Sequence, residues 1–378
     1  MALPTSPPQG ATASTVPAPT LRELLRIAVA RGASDVHVRS GTPPLIRVAG
    51  DLVPLDLPVL DADACAALVR EALPDDDERA AFAREYEKDF AYEDPAVGRF
   101  RVNAYRARGA QAMVLRHVKE GIPTFAELGL APVMADLARA HAGLIVVCGP
   151  TGSGKSTTLA AVIEAINASR RCHILTIEDP IEYLHHDRLA TISQRELQTD
   201  TTDFGTALRA AMRQDPDVIL IGEVRDAVTL RTALQAAETG HLVLATLHSQ
   251  TVVDAVNRMV DLVPVDEQRQ VRLSLAEVVQ GIVCQHLVPS ATGGGRTLVM
   301  EIAVGTPRVK DAIADGEKTS TLPDVMAEGD YYGMRTFEQD AVRLVLAGEI
   351  TATTAATVVP RASDLQVALR RAGYREAT

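Results

Sequence analysis

No apolar run in this chain of 378 residues approaches the roughly 18 residues of a membrane-crossing helix, so direct membrane insertion is not expected. The opening stretch of Pro, Ala, Ser and Thr has no apolar core of the kind a secretory signal carries. Cysteine is scarce. Cys65, Cys148, Cys172 and Cys284 are scattered without a CxxC pair, which indicates neither a zinc ribbon nor a disulfide framework. Positive charge is in deficit, and the formal net charge of −11 gives no global field to hold a polyanion. Nucleic acid is therefore not expected as a partner, and a soluble cytoplasmic protein is. Lysine is rarer still: Lys155 stands alone between Lys119 and Lys310, in a stretch that otherwise uses Arg. A compact ammonium kept at one place differs physically from a planar guanidinium fork.

At about 150 residues per domain, the length predicts two domains with room for a third, and the 47% hydrophobic content excludes a wholly disordered chain. Residues 1–19, with five prolines and no periodicity, read as a flexible tail. Thr20 and Glu23 fit a capping box ahead of Leu21, Leu24, Leu25 and Ala28, with Gly32 able to end the helix. Strands are expected at 36–38 and 45–48, helices over 61–73 and 75–86, and a hairpin at 99–106 and 111–118 turning at Arg108-Gly109. This order predicts a small α+β domain over 20–118, followed by a linker over 119–132. From 133 to 378 the pattern changes to buried apolar runs at 144–148, 173–177, 218–221 and 242–246 between helices, as in a parallel sheet covered on both faces. A strand pair at 282–288 and 296–302 precedes a mostly helical end.

Gly149-Pro150-Thr151-Gly152-Ser153-Gly154-Lys155-Ser156 matches GxxxxGK[ST] at every position, with a strand before it and a helix after it. The glycines let successive N–H groups turn toward phosphate oxygens, and the helix N-terminus adds its dipole. Lys155 would reach the β- and γ-phosphates of ATP, Ser156 would ligate Mg²⁺, and Thr157 continues the binding segment. Two acidic clusters follow predicted strands: Glu178-Asp179-Pro180-Ile181-Glu182 and Gly222-Glu223. Gly222 stands where a P-loop enzyme usually has Asp, so Glu223 must serve the attacking water alone or with Glu178. The competing reading of Glu178 or Asp179 is a turn cap. His248, just past a strand end, is placed to sense a γ-phosphate, and His241 less so; the competing reading of each is a satisfied surface or core histidine. Arg99, Arg101, Arg106, Arg108 and Arg116 crowd one hairpin, as a solvated face or as cations offered to a neighbouring subunit.

Together these motifs resemble the PilT/PilU family of type IV pilus retraction ATPases over about residues 20–375. Ser34-Asp35-Val36-His37-Val38 with Gly41-Thr42-Pro43-Pro44 is similar to that family's opening signature, and Gly149 to Thr158 to its Walker A segment. Thr176 to Tyr183 is similar to its Asp box, Asp215 to Arg225 to its Walker B segment, and Thr239 to His248 to its His box. The resemblance implies an α/β fold: a RecA-like P-loop NTPase domain preceded by a PAS-like domain, in a homo-hexamer hydrolysing MgATP at an inner-membrane pilus platform protein. It implies Glu223 as catalytic glutamate, Glu178 as Asp-box carboxylate, His248 as phosphate sensor, and Arg101 and Arg116 as arginines reaching the nucleotide. The absence of a long N-terminal region and a tetracysteine insert favours retraction over assembly. Arg308 to Ile313 departs from the family's Ala-Ile-Arg-Asn-Leu-Ile, Gln198 and Thr199 stand where Gly is usual, and Arg361 to Leu365 is similar to the PilU side, with a paralogous retraction ATPase as a further partner. The rivals are an assembly or secretion ATPase with a shortened N-terminus, an ATP-binding scaffold with little turnover, and a DNA translocase, which the charge disfavours.

Overall fold

The Thr20 hydroxyl accepts from the Glu23 N–H while Glu23 accepts from the Thr20 N–H, and this reciprocal cap opens α1 (Leu21–Ala30). The computed structural model describes residues 19–374 apart from Ala49, Pro74, Lys119, Glu120 and Gly294; most of the expected N-terminal tail lies outside them. The chain divides into two compact units after Glu120. Within the first, α1 is followed by β1 (Asp35–Val38), β2 (Leu45–Val48), β3 (Asp51–Pro54), α2 (Ala62–Ala72), α3 (Asp76–Glu85), β4 (Glu87–Asp94), β5 (Gly98–Ala107) and β6 (Ala110–His117). One antiparallel sheet in the order β3-β2-β1-β6-β5-β4 buries Val36, Val38, Ile46, Phe100, Val102 and Leu115. The β5–β6 turn has Arg108 and Gly109 both at positive φ, 52° and 83°, as a two-residue hairpin with right-handed strand twist requires.

Two strands of this sheet go beyond the sequence reading. Both are edges: β3 is exposed at every position, and β4 interleaves Phe90 and Tyr92 with Glu, Lys and Asp. An edge strand buries too little to impose a clean alternation, and its charges discourage pairing with another chain.

The second unit contains α4 (Val133–Ala138), β7 (Gly143–Cys148), α5 (Lys155–Ser169), β8 (His173–Glu178), β9 (Thr191–Glu196), α6 (Phe204–Ala211) and β10 (Val218–Ile221). Then come α7 (Ala227–Glu238), β11 (Leu242–Leu247), α8 (Val252–Asp261), α9 (Val265–Val278), β12 (Val279–Pro289) and β13 (Arg296–Val304). Helices α10 (Pro307–Ala314), α11 (Leu322–Ala327), α12 (Phe337–Leu346), α13 (Ala352–Ala355) and α14 (Ala362–Arg371) close the chain. The sheet order is β13-β12-β7-β11-β10-β8-β9, parallel except where β13 pairs with β12. Two apolar layers cover its faces, which is why β7, β10 and β11 are buried at every position. Strand β9 was not anticipated; its Ser, Gln, Arg and Glu hide a strand on the open edge. Gln198, which the resemblance sets against a Gly, has φ 65°, a left-handed conformation that Gly adopts without steric cost.

Candidate functional site

Parallel pairing sets the geometry. Leu247 is level with Cys148, and Ile221 is level with both Ile177 and Ala245. The segments leaving β7, β8, β10 and β11 therefore emerge together at the carboxyl edge of the sheet, where ligands bind in open α/β folds.

The loop leaving β7 has Gly149, Gly152 and Gly154 at φ 144°, 78° and 90°. A methyl on Gly149 would collide with the Gln285 carbonyl oxygen and the Ser153 hydroxyl, so the loop closes tightly on itself and on β12. Gln285, fully buried, holds it there. Its side-chain oxygen accepts from the Thr158 hydroxyl at 3.0 Å, and its nitrogen donates to the Ser153 carbonyl at 2.8 Å. Lys155 donates to the Gly149 and Pro150 carbonyls at 2.8 and 3.0 Å. Burial pulls its ammonium below the usual lysine range, opposed by the charges of Glu223 and Glu182. Thr157 shares a 2.9 Å hydrogen bond with the Tyr183 hydroxyl, tying α5 to the segment after β8.

Ser156, Glu178, Glu223 and Arg225 line one cleft of about 80 Å³. Burial pushes the Glu178 carboxyl up, against donation from the Thr176 hydroxyl at 2.7 Å and the Gln194 amide at 3.1 Å. Glu223 behaves oppositely. Burial raises it, but Arg225, His248 and Lys155 outweigh burial and leave it below the usual carboxylate range. Arg225 reaches Glu223 at 2.7 Å and Asp179 at 3.8 Å, and His248 Nε2 lies 3.5 Å from the other Glu223 oxygen. Gly222 is accounted for by space: a Cβ there would lie 3.1 Å from the Ile177 oxygen and 3.3 Å from the Glu178 Cα. The Thr246 hydroxyl donates to the Gly222 carbonyl and locks β11 to this turn.

The structure thus brings Gly149 to Thr157, Glu178, Glu223 and His248 to one edge. His241 is not among them. It precedes β11 at the opposite edge, where its Nδ1 meets the Ala236 carbonyl at 2.9 Å and finishes the end of α7. Arg101 and Arg116 belong to the first unit, paired with each other across β5 and β6. Sequence reasoning missed Gln285 and gave Arg225 no role of its own. A glutamine inside a buried strand, and an arginine two places after a catalytic candidate, were the available signals.

The sequence pattern of the Type II/IV secretion system protein family matches residues 95–355. The type IV pilus retraction ATPase PilT of Pseudomonas aeruginosa is 41% identical over 331 residues, 88% of this chain and 95% of that protein. The type IV pilus ATPase PilU of the same organism is 39% identical over 348 residues, 92% of this chain and 91% of that protein. The crystal structure of the pilus retraction motor PilT with bound ADP superposes with a TM-score of 0.86 at 38% identity, covering 92% of this chain and 99% of that one.

Replacing Gln285 by Leu strands the Ser153 carbonyl and the Thr158 hydroxyl in a dry layer. The expected cost is about 1–3 kcal/mol of stability, together with weaker nucleotide binding in a fluorescent-ADP titration. Unchanged affinity would confine Gln285 to a role in the sheet. A second expectation concerns His185, which lines the same cleft with its side chain 2% exposed and a pKa lowered to about 4, mainly by burial. The unfolded chain takes up this proton below about pH 6.5 while the folded chain does not. Stability is therefore lost as pH falls from about 6.5 toward 4, by up to about 1.4 kcal/mol per pH unit. His185→Gln should lose less melting temperature between pH 7 and 5 than the parent, by calorimetry.

Proposed function

The chain belongs to the Type II/IV secretion system protein family, and we propose that it is a ring-forming motor that turns MgATP hydrolysis into retraction of a type IV pilus. It is an ATPase of this family. What carries the finer reading is likeness to a retraction motor along nearly the whole chain, in a protein whose candidate groups meet at one sheet edge.

The loop fits a magnesium nucleotide. Its three glycines curl the backbone into a cradle, and the buried Ser153 hydroxyl inside it has no partner among the described residues. In this reading the loop N–H groups and Lys155 hold the β- and γ-phosphates, and Ser156 is the protein's ligand to the metal. When bound, Mg²⁺ neutralises charge on the phosphate oxygens. Glu223, kept ionised by Arg225, orients the attacking water and accepts its proton. Glu178 shares that edge, and His248 beside Glu223 reports on the γ-phosphate. Arg101 and Arg116 of one subunit serve the loop of its neighbour in a hexamer.

The departure at Arg308 to Ile313 leaves a packed helix in place. These residues lie in α10, where Val309, Ala312 and Ile313 are buried and Lys310 donates to the Glu277 carbonyl at 2.8 Å. The apolar character at 309, 312 and 313 and the basic charge at 310 of the family segment are kept, whereas Arg308 replaces an alanine and Asp311 an asparagine. The working site is cytoplasmic, against an inner-membrane platform protein, with a paralogous retraction ATPase as companion; no described helix is long and apolar enough to cross a membrane.

Lys155→Ala should abolish phosphate release without lowering the melting temperature. Glu223→Gln should bind ATP normally and hydrolyse it at least 10²-fold more slowly, the scale of lost general-base catalysis; a full rate in either would remove the assignment. Deleting the gene in its host should leave cells with excess pili by electron microscopy, whereas bald cells would indicate an assembly motor.

A further inference from the structure

Strand register in the first unit lines up four charged residues. Arg101 on β5 is opposite Arg116 on β6, Arg116 is opposite Asp35 on β1, and Asp35 is opposite Arg47 on β2. Their neighbours Val36, Ile46, Val102 and Leu115 point the other way into the core, so this row crosses the outer face of the sheet. Two of the three guanidiniums, those of Arg116 and Arg47, approach the one carboxylate.

The partners are unequal. Asp35 is 5% exposed, while the Arg116 side chain is 64% exposed. Asp35 Oδ1 accepts from Arg116 Nε at 2.8 Å, and Oδ2 accepts from the Ser34 hydroxyl at 2.8 Å with Arg47 Nε at 3.9 Å. The contact to Arg116 runs through Nε, so the donors on its two terminal nitrogens stay available to another acceptor. An ion pair with an exposed partner adds at most about 1 kcal/mol to stability, which is weak reason to bury a carboxylate. Orientation is a stronger one. A free arginine samples many rotamers, and the repulsion of Arg101 and Arg47 would push Arg116 off the row.

We infer that Asp35 is a positioning residue that aims the Arg116 guanidinium at the phosphates of a neighbouring subunit. The inference rests on the shared-site reading above. Asp35 touches no reacting atom; it fixes the stem of the side chain that does. Burial raises its carboxyl, but the bonds from Ser34 and Arg116 leave it below the usual range, so the anchor is charged at neutral pH.

The test is ATPase activity in mixed rings. Arg116→Ala and Lys155→Ala subunits, each nearly inactive alone, should recover activity when mixed, because the mixture pairs an intact loop with an intact arginine. Asp35→Asn should behave as Arg116→Ala does: slowed by about 10²-fold, the scale of a misplaced catalytic group, with unchanged ADP affinity. It should recover with Lys155→Ala and not with Arg116→Ala. Asp35→Glu keeps the charge and the fold but moves the guanidinium by one methylene, and should also be slow. A purely structural Asp35 predicts instead a lowered melting temperature for Asp35→Asn, a normal rate for Asp35→Glu and no rescue by mixing. A full rate in Arg116→Ala would overturn the shared-site reading itself. A slow Arg116→Ala beside Asp35→Asn and Asp35→Glu at the parent rate would overturn the positioning role alone.

Discussion

Backbone hydrogen bonding in the parallel register of β7, β11, β10 and β8 is the constraint on which the candidate site depends. Residues 149, 178, 223 and 248 are up to 99 positions apart in sequence. They meet because their strands start nearly level and run in the same direction, and a one-residue slip in any strand would turn its buried side chains toward the wrong layer. The apolar layers on both faces make such a slip costly. The site thus inherits its geometry from burial far from any phosphate.

Charge at the cleft is arranged by unequal surroundings rather than by unusual residues. Glu178 and Glu223 are both partly buried. Glu178 receives only neutral donors and is pushed up; Glu223 faces Arg225, His248 and Lys155 and is pulled down. Two like carboxylates at one sheet edge are thus held in opposite electrostatic environments. Arg225 couples them further by bridging toward Asp179, which follows Glu178 directly. Gln285 does comparable work without charge, joining the phosphate loop to β12.

The first unit applies the same economy. Its outer face concentrates arginine in a chain that is acidic overall, and the buried Asp35 there meets the Arg116 guanidinium through a single nitrogen. Cross-strand pairing puts Arg101 beside Arg116, so two cations share one strand-to-strand step where repulsion must be balanced from the neighbouring strand.

The phosphate loop, the strands leading to it, Glu178, Glu223 and His248 were legible in the sequence, because strong local constraints write them there: glycines at positive φ, buried apolar runs, and polar residues at the ends of those runs. The capping box at Thr20 and the Arg108-Gly109 turn were legible for the same reason. The edges β3, β4 and β9 were not, since a strand with one open side imposes no sharp pattern. Gln285, the Arg225 bridge and the Asp35 anchor were decided by the tertiary structure alone. Each is a contact between strands or turns whose spacing in sequence is arbitrary, and a hydrogen bond across such a gap leaves no local trace until the register brings the two ends together.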